Sequence, residues 1–362
     1  MTIESNQVTD SRSSAIFDRF CMEILPRIHD KVESLTLQAC FLPRVLRVAN
    51  YLHLHKLVII NLKLKKSPFI HVLKQQISDL VVTISDAFPD ASSGELITDI
   101  YNRIFGLVRN LKYLDIDGDD TYDFSRSLLT SLPSTTCCSS SIVHLRIKMH
   151  NIDDCLYLLD GRLSQLHTLI IILNFIHDPV QIRLRSQKII RRSLKIMNNM
   201  INPLRLKRFP MHVCHRTNEF DSLMLPLLRR MTYLEKLTLS LRVGGKNSFI
   251  DGTYLNNYIV NQMPHLHTFH FDIVTEYVRM NEQQLKPTPD DIRRTFTERG
   301  YHVDCYIDYG FYNSRRCHVY SIPFDNERMC HITHGFPGGM FINVRILRMK
   351  DDFYSFEHKF FA

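Results

Sequence analysis

The phrase Val32-Glu-Ser-Leu35-Thr-Leu37 runs apolar-x-x-apolar-x-apolar, and it recurs. Further copies are Leu54-His-Lys-Leu57-Val-Ile59, Leu111-Lys-Tyr-Leu114-Asp-Ile116, Ile142-Val-His-Leu145-Arg-Ile147, Leu166-His-Thr-Leu169-Ile-Ile171, Leu234-Glu-Lys-Leu237-Thr-Leu239, Leu266-His-Thr-Phe269-His-Phe271 and Val344-Arg-Ile-Leu347-Arg-Met349. The closing alternation has the period of a β-strand with one buried side. No copy can bury that side alone, so the copies must stack, each covering its neighbour's leucines.

Between the phrases lie helical patterns. Leu42, Val45, Leu46, Ala49 and Leu52 step by three or four. Ser67-Pro68 supplies an N-cap and a first helical proline, Ser92-Ser-Gly-Glu95 a capping box, and a helix from about Ile152 to Leu159 stops at Gly161. Phe124, Leu128, Leu129 and Leu132 make a further helix before the loop that starts at Ser134. Strand plus returning helix is one repeat. Such repeats run their strands in one direction, which predicts an α/β fold: an irregular, curved solenoid with a mostly parallel sheet. Most starts are separated by 22 to 32 residues, but gaps of 57, 68 and 78 stand out. Each of the first two hides a degenerate repeat, one of them Leu80-Val-Val82-Thr-Ile84. The longest holds a helix begun by Thr288-Pro-Asp-Asp291 and a β-hairpin made of Tyr301–Ile307 and Cys317–Ile322.

This divides the chain into a polar, disordered start (1–14), a capping helix (15–31) that Pro26 kinks or divides, the array (32–272), an inserted helix and hairpin (273–340) and a last repeat (341–362). The aromatic end, Phe353-Tyr-Ser-Phe356, points to a truncated or covered array.

The chain has 362 residues, nine cysteines without a frame and no N-x-S/T acceptor, as expected in a reducing compartment. No membrane-length apolar run and no signal-peptide pattern appear, so the expectation is a cytoplasmic or nuclear protein without membrane partners.

Catalytic and nucleotide motifs such as H-E-x-x-H, G-x-S-x-G, the P-loop and G-x-G-x-x-G are absent from the sequence, so a non-catalytic protein without cofactor is expected. Cys305, Cys317, Cys330 and His334 have zinc-ligand chemistry, but their gaps are too wide for a knuckle, so they read as idle cysteines. Between Asp178 and Glu219 there is no carboxylate. A helix there would turn Ile190, Leu194, Met197 and Ile201 inward and Lys188, Arg191, Arg192 and Lys195 outward as a basic patch. No aromatic residue falls between Phe175 and Phe209, which argues against a base-stacking platform within the stretch.

The phrases and helices resemble irregular intracellular leucine-rich-repeat proteins. Phe17-x-x-Phe20-Cys-x-x-Ile24-Leu-Pro-x-Ile28, running into Val32–Leu37, resembles the segment that follows the F-box in F-box leucine-rich-repeat receptors. That resemblance implies a protein-protein interaction module whose repeats hold a substrate of a ubiquitin ligase. No F-box is visible before residue 15, so a Skp-type adaptor is expected only if the natural protein carries one.

With the leucines turned inward, the residues between them face the concave surface. The expected partner-binding face is Tyr113, Asp115, Asp117, His144, Arg146, Lys148, Lys236, Thr238, Ser240, Thr268, His270, Asp272, Arg348 and Lys350, preceded by Ser34, Thr36 and Gln38. Asp115 and Asp117 beside Arg146 and Lys148 would offer a mixed-charge surface to a protein ligand; a basic repeat protein binding nucleic acid is the alternative.

Overall fold

The computed structural model describes residues 2–3, 11–62, 76–84, 104–105, 110–118, 141–177, 190–198, 205–278, 286–309, 315–339 and 341–349. The protein is α/β with a mostly parallel sheet, and it divides into two compact units: Met1–Asn174 with Met200–Asn202, and Phe175–Asn199 with Pro203–Ala362. The helices expected after Ser67 and around Phe124, the capping box at Ser92–Glu95, the loop residues 134–140 and the aromatic tail lie outside the described residues.

The first unit contains seven described strands: β1 (Thr2–Ile3), β2 (Ser34–Gln38), β3 (Lys56–Leu62), β4 (Asp79–Ile84), β5 (Tyr113–Gly118), β6 (His144–Met149) and β7 (Thr168–Leu173). Each lies parallel to the next in the chain. β1 falls within the polar N-terminal stretch, and the first helix begins at Ser11. β4 is the degenerate strand expected in the 57-residue gap. The registers align the phrase: Leu35, Leu57, Leu80, Leu114, Leu145 and Leu169 form one buried row, and Leu37, Ile59, Val82, Ile116, Ile147 and Ile171 the next. Each such side chain stabilises the stack by roughly 1.5–3 kcal/mol. One backbone junction repeats at the strand starts. The carbonyl of Glu33 accepts from the amides of His55 and Lys56, that of His55 from Ser78 and Asp79, and that of Ser78 from Lys112 and Tyr113.

In the second unit β8 (Arg208–Val213), β9 (Lys236–Val243) and β10 (Thr268–Glu276) are parallel. β8 is the repeat hidden in the 68-residue gap. The expected hairpin is present as β11 (Val303–Tyr309) and β12 (Arg315–Ser321), with β12 antiparallel to both β10 and β11. The preceding helix, Pro289–Thr297, has the capping box Thr288/Asp291.

The eighth phrase departs from expectation. Its strand, β14 (Ile346–Met349), pairs with β13 (Arg328–Ile332), unforeseen in the sequence, in a separate two-stranded sheet. The junction survives, since Arg345 and Ile346 both donate to the carbonyl of Glu327, but Leu347 is 54% exposed rather than inward. The inward side chains here are Met329 and Ile332. They pack with Tyr306, Tyr320 and Phe324, and Phe336, Phe341, Val344 and Met349 lean on that cluster.

Pro26 divides the first helical run: a π-turn, Phe20–Ile24, precedes the helix Leu25–Ile28. The same order, π-turn then Leu-Pro, returns at Phe220–Met224 and Leu225–Arg229. A proline lacks the amide to close an α-turn and its ring crowds the carbonyl four residues back, which the wider turn relieves.

Candidate functional site

Parallel in-register strands convert the positions between leucines into rows across the sheet. In the first unit Ser34, Lys56, Asp79, Tyr113 and His144 make one row, all exposed or half-buried, and Thr168 continues it as a buried residue. Strands are roughly 5 Å apart, so five residues make a track of about 20 Å. The rings of Tyr113 and His144 lie 6.3 Å apart. Thr36, Val58, Val81, Asp115 and Arg146 form the row behind. The row of Ser34 was legible from the alternation, but Lys56 and Asp79 were not assigned to it.

The expected mixed-charge surface is not available in the form the sequence suggested. Arg146 reaches Asp117 at 3.4 Å and Asp115 at 3.9 Å, because β5 and β6 are adjacent and place Asp115 opposite Arg146. Asp115 and Lys148 are buried, as are His150, Asn151 and Asp154 where β6 turns into its helix.

The second unit carries a longer polar chain. Arg208, Lys236 and Thr268 share a row, as do His212, Ser240 and Asp272; Thr238 pairs with His270. Lys236 is exposed and Thr238, Thr268 and His270 are half-buried, but Ser240 and Asp272 are buried, contrary to their expected display. The reason is local bonding. His212 Nδ1 lies 3.0 Å from Ser240 Oγ, and Ser240 donates to Asp272 at 2.9 Å. Asp272 takes His318 Nε2 at 2.6 Å, and His318 Nδ1 meets the Tyr306 hydroxyl at 2.9 Å. The Thr333 amide donates to Tyr306, and its hydroxyl donates to Asp308 at 2.6 Å. If both imidazoles are neutral, every polar atom in this chain has a consistent role: each N–H or O–H donates to the next acceptor. Serine, histidine and carboxylate are also the types of a hydrolytic triad. In a triad the imidazole stands between hydroxyl and carboxylate. Here the hydroxyl stands between them.

Arg242 binds Glu276 with two nitrogens at 2.8 and 3.1 Å, a bidentate pair at the far end of the same face. Arg316 donates to the carbonyl of His331. Burial, then Arg242 and Arg316, hold the His331 imidazole down to about 2.

Of the remaining expected residues, Arg348 is exposed on β14 and so belongs to no row of the larger sheet. Lys350 and Lys188 lie outside the described residues. Arg191, Arg192 and Lys195 are exposed on the helix 190–198, with Ser193 and Met197 buried beneath. Ile190 and Leu194 are only half-buried there, so they seal the helix less completely than the spacing implied. Cys305, Cys317 and Cys330 are buried outside any disulfide. Burial pushes the Cys305 and Cys330 thiols up to about 12, and Cys317 upward as well, away from the thiolate that a metal requires. Among the described residues no three His, Cys, Asp or Glu side chains gather as a metal site, and no helix is long and apolar enough to cross a membrane. Compared with protein-family models, with curated proteins and with solved structures, the chain matches none.

Proposed function

We propose that the protein is a non-catalytic interaction module, a leucine-rich-repeat-like solenoid whose strand face holds a protein partner, as the substrate-binding repeats of F-box receptors do. The observation that carries the reading is the row Ser34–Lys56–Asp79–Tyr113–His144. Five consecutive strands hold these side chains in register over buried leucines, at a spacing suited to an extended segment lying across the strands. The row alternates hydroxyl, cation, carboxylate, phenol and imidazole, so it can specify charge order without any single strong contact. A rigid parallel ladder lowers the cost of binding because its side chains are ordered beforehand. A Skp-type adaptor enters only through an F-box carried elsewhere.

Lys56→Glu with His144→Glu tests this, since both residues are exposed. Recovery of the partner from a lysate of the source cell should fall several-fold while the melting temperature stays within about 2 °C, because exposed charges contribute little to stability. Unchanged recovery would remove this row from the function.

A further inference from the structure

The carboxylate-free stretch ends at His215 and Arg216, beyond the end of β8, and the fold there supplies aromatic partners that the sequence did not reveal. His215 stacks on Phe175 with ring centroids 4.2 Å apart and planes 21° apart. The guanidinium of Arg216 sits 4.5 Å over the ring of Tyr277. His215, Arg216 and Tyr277 are all exposed.

The backbone is specialised to hold this pair of stacks. Thr217 bridges to Val243, its amide donating to Arg242 at 2.9 Å while Gly244 donates back at 2.8 Å. A Cβ on Gly244 would stand 2.6 Å from Asn218 Oδ1 and 3.0 Å from Arg216 Cδ, so glycine is what lets the arginine stem lie against the strand end. Tyr277 has φ +54°, a left-handed conformation that costs a bulky residue energy and is retained where its surroundings enforce it. The acids nearby are already occupied: Glu276 is bidentate with Arg242, Asp221 takes Lys246 at 2.5 Å, and Glu219 accepts from Ser222 at 2.6 Å. Arg216 has no carboxylate among the described residues.

An arginine stacked on a ring keeps its in-plane N–H donors for an oxyanion, while the flanking ring faces can take flat π-systems. A ring-stacked cation next in the chain to a second aromatic stack supplies the two elements that single-stranded nucleic acid binding uses, a cation for phosphate and rings for bases. We propose that His215, Arg216 and Tyr277 form a binding site for single-stranded nucleic acid, independent of the protein-binding row on the first unit.

The test is fluorescence anisotropy of a labelled oligouridylate at about 50 mM salt, with the full chain. The parent should bind, should bind the matching duplex more weakly because its bases are paired away, and should lose affinity as salt rises. Arg216→Ala with Tyr277→Gly should weaken binding at least about tenfold. Glycine suits φ +54°, so this variant should keep the parent's melting temperature. Arg216→Lys, which keeps the charge and loses the planar fork, should fall between the two. No binding by the parent, equal affinity for duplex, unchanged affinity in Arg216→Ala with Tyr277→Gly, or loss only in Arg191→Ala with Arg192→Ala and Lys195→Ala would each overturn the proposal. So would capture of a polyglutamate peptide in preference to the oligonucleotide. The Lys56→Glu, His144→Glu variant should bind the oligonucleotide like the parent, which keeps failure here distinct from failure of the protein-binding row.

Discussion

His331 combines three features: φ +65°, a buried Nδ1 without a hydrogen-bond partner among the described residues, and a depressed pKa of about 2. It also sits where the β13–β14 register slips between Cys330 and Ile332, as the extra residue of a bulge. Unfolding returns its pKa to the ordinary imidazole value near 6.5. Below that value the unfolded chain takes the proton and the folded chain does not, so stability is full above about pH 6.5 and falls as pH drops. Between about pH 7 and about pH 5 this group should cost roughly 1–2 kcal/mol, and His331→Gly, which also suits the positive φ, should flatten the melting temperature over that range. A variant as acid-sensitive as the parent would show that other groups govern the loss. Gly252 is the converse case, fixed by space: a Cβ would meet the Thr295 carbonyl oxygen at 2.4 Å, where the helices Gly252–Tyr258 and Pro289–Thr297 touch. Gly252→Ala should therefore destabilise by about 1–3 kcal/mol in denaturant titration. None of this was legible from single residues, since neither a bulge nor a close helix approach leaves a local pattern.

The strands were legible and their neighbours were not. Alternation over six residues is enough to say that Leu114 points inward, and Leu114 is fully buried in the row from Leu35 to Leu169. Leu114→Asp buries an unpaired charge and should lower stability by several kcal/mol. Asp115 looked like a neutral surface position because alternation assigns a side but not what lies across from it. Arg146 lies opposite, so Asp115→Leu should cost stability too, and Arg146→Glu with Lys148→Glu should lower the melting temperature, since Lys148 is buried. β8 and β13 escaped the phrase for different reasons. β8 has Phe209 and Met211 where leucines stand elsewhere, with Pro210 between them. β13 breaks the alternation at its bulge. The basic stretch misled in the other direction: no aromatic falls between Phe175 and Phe209, yet Phe175 and Tyr277 meet His215 and Arg216 through contacts distant in sequence.

At the scale of the molecule, both units use one rule, a buried pair of apolar rows with outward-facing rows before, between and after them. In the second unit the row after the apolar pair is drawn into bonds among His212, Ser240, Asp272 and His318. In the first, the row before the apolar pair remains accessible over five strands, from Ser34 to His144. The matching row of the second unit, Arg208, Lys236 and Thr268, is accessible over three strands only, and the proposal of protein binding on the first unit rests on its longer track. Site-specific photocrosslinking tests it most directly, with a photoreactive residue placed in turn at Lys56, Asp79 and His144, and at exposed Glu23 on the helical run as the control. The account predicts that one protein is captured at all three row positions and not at Glu23. Equal capture at Glu23, or unrelated proteins at the three row positions, would contradict it.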